Sequence, residues 1–350
     1  MKKSLLALAV LSAFAGVASA QSNVTVYGIV DAGVRDVTNA NAAGASQFTM
    51  NSTGTYQSNR FGFKGVEDLG QGTDAHFNLE MGFNSGNGQL DNTTNVLFRR
   101  TATVGLGGTW GSIDIGRQYN IPFRTINTYD PFAFKYIGIT LAVTPSTNGS
   151  RYDNDIQYTY KTGNITARAE YALGETVGST SMGATQAVGL GYNDGTLVLG
   201  GAYTQQDVST VTAKLKKNHY TFGGAYKVTA DLKISAGYMD QRVATVATGD
   251  TETKTQWAGF SYKLLPDTEF TYAYYKADIN GGAAGTVAKT TVAGTKDLNM
   301  VGLTYSFSPR TLYYAEMDVA KLSGNSRLFL SSATPRNDQV GFSTGIWHSF

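Results

Sequence analysis

The sequence predicts an all-β protein, a 16-stranded antiparallel transmembrane β-barrel, and three observations support that prediction. Apolar and polar residues alternate with a period of two in segment after segment, and the pattern never changes to a helical period. Glycine accounts for 41 of the 350 residues, alongside 21 tyrosines and 17 phenylalanines, a composition rich in turn and strand formers. The alternating segments run roughly ten residues, the length of a strand that crosses a bilayer when tilted about 45°.

The first 20 residues have the three parts of a secretory signal peptide. Two lysines form a positive start, residues 5–11 form an apolar core, and A-S-A at 18–20 is a small-residue cleavage site. A membrane anchor, the alternative, needs about 20 apolar residues, and this core is shorter. We therefore expect a cleaved signal peptide at 1–20 and one barrel at 21–350. No later stretch is apolar enough to predict a transmembrane helix.

Charge and cysteine content narrow the function classes. The formal net charge of +2 comes from Lys2 and Lys3, so the chain after residue 20 is formally neutral. Neutrality argues against a bulk nucleic-acid binder, and we expect no nucleic-acid partner. Because cysteine is absent, no disulfide stabilises the exported chain, which leaves the hydrogen-bonded sheet and burial to do so.

Sixteen alternating segments are the predicted strands. Within 268–278, for example, Phe270, Tyr272 and Tyr274 share one face, and the residues between them share the other. All six prolines fall outside these segments, because proline lacks the N–H that a sheet requires. Short connections alternate with long polar ones, which is typical of membrane barrels. The predicted strands are 24–35, 56–67, 72–84, 96–108, 111–118, 151–160, 165–172, 185–193, 196–207, 218–227, 231–244, 255–264, 268–278, 297–307, 311–321 and 338–350.

A soluble β-sandwich is the other architecture that uses many amphipathic strands. Its strands are usually about five or six residues long, and its apolar faces pack against a second sheet. In a closed barrel the apolar face meets lipid, the polar face lines water, and no backbone edge stays unpaired. Phe342, Ile346 and Phe350 share one face of the last segment, so that strand ends with an aromatic residue on the predicted lipid side. These features favour the barrel.

Four motifs carry a resemblance to a known family. They are VTVYGIVDAG at 24–33, SNRFGFKGVEDLG at 58–70, GRQY at 116–119 and GIWHSF at 345–350. On these motifs the chain after residue 20 resembles, from end to end, the Gram-negative general porins in their β-proteobacterial form. The resemblance implies a 16-stranded barrel in the outer membrane, a homotrimer, a water-filled pore in each subunit and an inward-folded third external loop. Such a protein would contact outer-membrane lipid and lipopolysaccharide.

A long segment without a clear strand, at about 119–150, is the candidate for that loop. A structureless stretch of this length is unusual unless it is functional. It contains three of the six prolines and the run YDPFAF at 129–134. A disordered external loop is the alternative, but the many aromatic residues favour packing against something. The resemblance implies that the loop folds inward and narrows the pore.

The alternation also assigns the charges that face inward. If lipid contacts Phe61 and Phe63, then Arg60 and Lys64 point into the barrel. The same parity argument turns further charged residues inward, namely Asp31, Arg35, Glu80, Arg151, Asp153, Asp155, Arg168 and Glu170.

Arg100 receives two conflicting assignments. Parity groups it with Val104 and Leu106, which one would first place against lipid. The family's R-x-A-x-x-G-L arrangement, present here as RTATVGL at 100–106, instead implies that Arg100 points into the pore. We follow the resemblance.

The expected pore constriction combines wall cations with one loop acid. It comprises Arg60, Lys64, Arg100 and Arg151 on the wall and Asp130 on the loop. Opposed charges across a narrow aqueous gap produce a transverse field that orients dipolar solutes and favours one ion sign. Arg124 and Lys135 give the loop a net positive charge, which predicts a modest anion preference; the inward acids make that sign a hypothesis.

An enzyme and a substrate-specific channel are the alternative functions. None of the three histidines lies in a G-x-S-x-G motif or another recognisable catalytic pattern, and His76 beside Asp74 is better explained as a lumen-lining residue than as a catalytic dyad. No cysteine or i, i+4 histidine pair indicates a metal site, and no glycine motif indicates a nucleotide, so we expect no metal and no cofactor. We predict passive diffusion of ions and small hydrophilic solutes; a specific channel is the nearest alternative, and a barrel hydrolase is less favoured.

Overall fold

The computed structural model describes residues 23–41, 43–50, 53–136, 139, 149–210, 213–244, 250–281, 293–324 and 336–350. The predicted signal peptide at 1–20 lies outside them, as does part of the predicted loop at 119–150. Within this part of the chain the elements are β1 (Asn23–Val37), β2 (Gln47–Met50), β3 (Arg60–Gly70), β4 (Thr73–Gly82), β5 (Thr101–Gly108), β6 (Gly111–Tyr119), α1 (Ile121–Ile126), β7 (Arg151–Thr162), β8 (Ile165–Ala172), β9 (Thr185–Asn193), β10 (Leu197–Asp207), β11 (Lys216–Lys227), β12 (Leu232–Val243), β13 (Thr251–Leu265), β14 (Thr268–Gly281), β15 (Gly294–Ser308), β16 (Thr311–Leu322) and β17 (Asp338–Ser349). No helix among the described residues has the length and hydropathy needed to span a membrane.

The strands close into one antiparallel barrel. Each strand from β3 onward pairs with the next, and β17 returns to pair with β1 over residues 29–37. The other edge of β1 pairs with β3 over residues 23–29 and with β2 over residues 34–37, so β2 and β3 together fill one position in the wall. The predicted 16-stranded antiparallel barrel is therefore confirmed.

Two predicted strands begin later than the alternation suggested. The segment predicted at 96–108 becomes a strand only at Thr101, because Asn92 folds the preceding loop by accepting the N–H groups of Thr94 and Val96. The segment predicted at 56–67 becomes a strand only at Arg60.

The outer face of the barrel is apolar and exposed. Val104 is 60% exposed and Phe222 is 57% exposed. Apolar side chains are exposed in this way on a barrel surface that contacts lipid. The last residue, Phe350, exchanges two backbone hydrogen bonds of 3.1 Å with Gly28, and its ring lies 6.4 Å from that of Phe61 on the same face.

The interior of the barrel holds the described part of the 119–150 segment. Tyr129 donates to or accepts from the hydroxyl of Thr221 at 2.9 Å, and its ring stacks on Trp257 at 5.9 Å. Tyr136 packs edge-on against Tyr314 at 5.9 Å. Since Thr221 lies between the exposed Tyr220 and Phe222 in its strand, these contacts are made on the inner face of the wall.

Candidate functional site

A cavity of about 690 Å³ lies between the barrel wall and the segment after β6. Five arginines line it, namely Arg60, Arg100, Arg124, Arg151 and Arg168. Arg60 and Arg151 begin strands β3 and β7, Arg168 lies in β8, and Arg124 lies in α1. Arginines from several strands and from one short helix therefore line the same cavity.

Arg100 points into this cavity and is almost fully buried. Its Nε donates to Oε1 of Glu80 at 2.6 Å, and one terminal nitrogen donates to the Tyr119 hydroxyl at 2.9 Å. The parity argument that placed Arg100 against lipid does not apply, because β5 begins only at Thr101 and Arg100 lies on the bend before it.

Three of the other four arginines are held mainly by backbone oxygens. Nε of Arg60 donates to the Ser58 carbonyl at 3.2 Å, and Nε of Arg151 donates to the Arg100 carbonyl at 2.6 Å. Nε of Arg124 donates to the Tyr119 carbonyl at 3.0 Å, and burial lowers the pKa of the Arg124 guanidinium. A guanidinium remains protonated at any relevant pH. These contacts fix the cations without neutralising them.

Positive charge therefore exceeds negative charge around the cavity. Among the described residues, Arg100 is the only one of the five lining arginines that forms an ion pair, and its partner is Glu80. Oriented cations in a recess with low-dielectric walls raise the local concentration of anions.

Asp130 does not face these arginines, so its expected place in the constriction is wrong. One of its carboxylate oxygens accepts the N–H groups of Phe132 at 3.1 Å and Phe134 at 3.0 Å. The other accepts the hydroxyl of Tyr275, on β14, at 2.8 Å. The tight turn after Asp130 folds over its carboxylate, and burial raises the pKa of Asp130 to about 6. The acid next to the arginines is Glu80 instead.

Lys64 lies on the inner wall but outside the cavity lining. Its ammonium nitrogen lies 5.4 Å from the ring centroid of Tyr27, and the Tyr27 hydroxyl donates to Asn78 at 2.8 Å and to Glu80 at 3.0 Å. Tyr27 and Glu80 thus connect Lys64 to the arginine cluster.

Asp31 and Arg35 face inward, as expected, but both are buried in contacts that hold the wall. Asp31 accepts the Tyr56 N–H at 2.7 Å and the Tyr314 hydroxyl at 2.6 Å. Arg35 pairs with Asp318 at 2.7 Å. Neither side chain lines the cavity.

Asp153, which was expected to line the pore, does not line the cavity. The register of β6 against β7 shifts between Gly116 and Gln118, and Asn154 has a positive φ of 52°. This irregularity breaks the alternation, and the Asp153 side chain is 68% exposed and pairs with Arg117. Asp155 is inward-facing and fully buried, outside the cavity lining.

Several residues of the site were not found by sequence reasoning. Tyr119, Phe123 and Phe134 line the cavity beside the arginines. Phe123 is positioned by α1, whose N-cap Asn120 accepts the Phe123 N–H at 3.0 Å and whose first turn contains proline. The N-x-P pattern at 120–122 is a helix-start signal that could have predicted this turn.

Comparisons with known proteins bear on the fold and the family of the chain. The sequence model of a family described as Gram-negative porin matches residues 7–325. The chain is 31% identical to an outer membrane porin protein of Bordetella pertussis and 29% identical to outer membrane porin protein 32 of Delftia acidovorans, each over the full length of both chains.

Solved structures show the same fold. An anion-selective porin from Comamonas acidovorans is 25% identical and superimposes with a TM-score of 0.78, covering 94% of this chain and 100% of that one. The trimer form of OmpT from Vibrio cholerae, at 14% identity, superimposes with a TM-score of 0.68 and covers 94% of this chain and 99% of that one.

Proposed function

This chain belongs to the Gram-negative porin family and is an outer-membrane channel, not an enzyme, and on that premise we propose that the arginine-lined cavity is its constriction and makes it prefer anions. The single observation that carries the proposal is the imbalance of charge around the cavity. Five guanidiniums line it, and Glu80 pairs with only one of them.

The physical consequence is an asymmetric barrier for the two ion signs. A cation entering the cavity meets fixed positive charge on the wall and on α1, whereas an anion finds guanidiniums that are already oriented by Ser58, Arg100 and Tyr119. Pore charge and diameter set selectivity in channels of this kind. Solutes then cross by passive diffusion, without turnover or energy coupling.

A salt-gradient experiment tests the proposed selectivity. Purified protein is inserted into planar bilayers with unequal KCl on the two sides, and the reversal potential is measured. We expect a potential displaced from zero toward that of chloride. A displacement toward that of potassium would overturn the anion preference while leaving the porin assignment in place.

We further propose that the protein is a homotrimer and that its mature chain begins at Gln21, in contact with outer-membrane lipid and lipopolysaccharide. The trimer form of a related barrel and the signal-like segment at 1–20 support these points. Chemical cross-linking of the membrane-embedded protein should give a trimeric band, and an intact mass should correspond to residues 21–350. A monomeric species or an uncleaved mass would refute the respective proposal.

A further inference from the structure

We propose that the cavity favours anions that carry an aromatic ring, of which aryl carboxylates are the simplest class, over non-aromatic anions of equal charge and similar size. This inference rests on the proposed anion-conducting constriction. The structural basis is a column of rings beside the arginines.

Three aromatic rings and one guanidinium stack along one side of the cavity. The Tyr119 and Phe123 rings are 4.5 Å apart at 5°, and the Phe123 and Phe134 rings are 4.6 Å apart at 11°. The guanidinium of Arg151 lies 3.8 Å from the centroid of the Tyr119 ring. All four side chains line the cavity and are only partly buried. The column is therefore accessible to a solute in the pore.

The last ring of the column is held in place at a strained position. Phe134 has a φ of +56°, in the left-handed region that bulky residues rarely adopt. Asp130 accepts the Phe134 N–H at 3.0 Å and is itself fixed by the Tyr275 hydroxyl at 2.8 Å. Backbone strain that the surroundings enforce is found mainly at functional sites. Here it places the Phe134 ring 4.6 Å from the Phe123 ring.

Parallel stacking gives the column a defined chemical preference. Stacked rings present their electropositive edges to the side, and such edges attract the electronegative face of another aromatic ring. Guanidiniums also favour aromatic faces, as Arg151 does with Tyr119. A saturated ring of the same size has no electronegative face and gains neither interaction.

The carboxylate of such a solute would meet the arginines. Among the described residues, Arg60 and Arg168 line the same cavity and form no ion pair. A guanidinium binds a carboxylate through two parallel hydrogen bonds. The cavity of about 690 Å³ lies within the size range of small-molecule sites, so a single-ring acid is small enough to enter it.

The test compares two acids that differ in aromaticity but little in size or charge. Chloride current through single channels is recorded while sodium benzoate or sodium cyclohexanecarboxylate is added, and the concentration that halves the current is determined. We expect benzoate to be about two- to tenfold more potent, the range that a ring–ring contact supplies. Equal potency, or no block by either acid, would overturn the inference.

Four variants make the result specific. Phe134→Leu and Phe123→Leu should bring the two acids to equal potency, whereas Phe134→Tyr keeps the ring and should keep the difference. Phe222→Leu, on the outer face, is the matched control and should behave as the wild type. A Leu variant that conducts normally yet still prefers benzoate would refute the role of the column. If the wild-type channel showed no preference for chloride, the proposed constriction would be refuted instead. Failure of the aromatic preference and failure of the constriction are therefore distinguishable.

Discussion

Nε of Arg100 lies 2.6 Å from Oε1 of Glu80, and this contact is the only ion pair made by the arginines of the cavity within the described residues. Both side chains are nearly inaccessible. Breaking a buried pair by removing one partner costs about 3 to 5 kcal/mol, since the other charge stays uncompensated. Because the two partners carry opposite charges, removing one or the other should shift selectivity in opposite directions.

Replacing Glu80 by glutamine should strengthen the preference for anions. Glu80→Gln removes the negative charge beside Arg100 but keeps an oxygen that accepts from its Nε. The reversal potential in a KCl gradient should move further toward that of chloride. Glu67→Gln, which changes an exposed carboxylate on the neighbouring strand β3, is the control and should leave the potential unchanged. A move toward potassium would contradict the assigned role of Glu80.

Removing the Arg100 side chain should weaken selectivity and widen the pore. Arg100→Ala deletes one cation and the group that fills the space between Glu80 and Tyr119. We expect a larger single-channel conductance and a reversal potential closer to zero. The double variant Arg100→Ala/Glu80→Gln also removes the Glu80 charge that Arg100→Ala leaves unpaired. Comparing the single and double variants separates a folding defect caused by that charge from an effect on selectivity. Unchanged conductance and unchanged potential would show that Arg100 does not set the current.

The barrel could be predicted from sequence because lipid on one side and water on the other impose a period of two on each strand. The errors arise where the backbone departs from that regularity. Asp153 lies beside a shift in the pairing register of β6 and β7, where Asn154 has a positive φ. The alternation of apolar and polar residues in the sequence does not reveal such a shift. Asp130 lies in the predicted loop, but its carboxylate does not point toward the arginines as predicted. The turn that folds over this carboxylate produces no periodic pattern in the sequence.

The helix α1 escaped prediction for a different reason. Its six residues are too few to show a helical period, although Asn120 and Pro122 form a recognisable start. The arginines of the cavity come from β3, from the bend before β5, from α1, from β7 and from β8, so their convergence depends on the closed barrel. The resemblance to a family placed Arg100 correctly where parity did not.

The docking of the 128–136 segment should strengthen on acidification. Burial raises the pKa of Asp130 to about 6 from an ordinary value of 3.8, so the folded state holds the proton more tightly than the unfolded chain. The stabilisation is complete below about pH 4 and is lost as the pH rises through about 6, a span worth roughly 3 kcal/mol. Asp130→Asn should remove this dependence, because it mimics the neutral carboxyl and keeps an acceptor for the Phe132 and Phe134 N–H groups.

Hydrogen exchange of those two amides measures this effect. Protection factors, corrected for intrinsic exchange, should be higher at pH 4.5 than at pH 7.5 in the wild type and equal at both in Asp130→Asn. A wild-type protection that falls on acidification would mean that the charged form of Asp130 is the one that holds the loop.

Loss of the Glu170 carboxylate should loosen α1 and make the open channel noisier. Both oxygens of Glu170, on β8, accept the N–H of Ile121, the first residue of the helix, at 3.2 and 3.1 Å. A hydrogen bond contributes about 0.5 to 1.5 kcal/mol, and its loss leaves the N–H of the buried Ile121 unsatisfied at the N-terminus of the helix. Glu170→Ala should therefore increase the variance of the open-channel current, since Arg124 and Phe123 belong to the helix and line the cavity. Glu170→Gln retains an acceptor of the same length and should stay close to the wild type. Equal noise in all three proteins would show that α1 is fixed by its apolar contacts alone, through Ile121 and Ile126, both of which are fully buried.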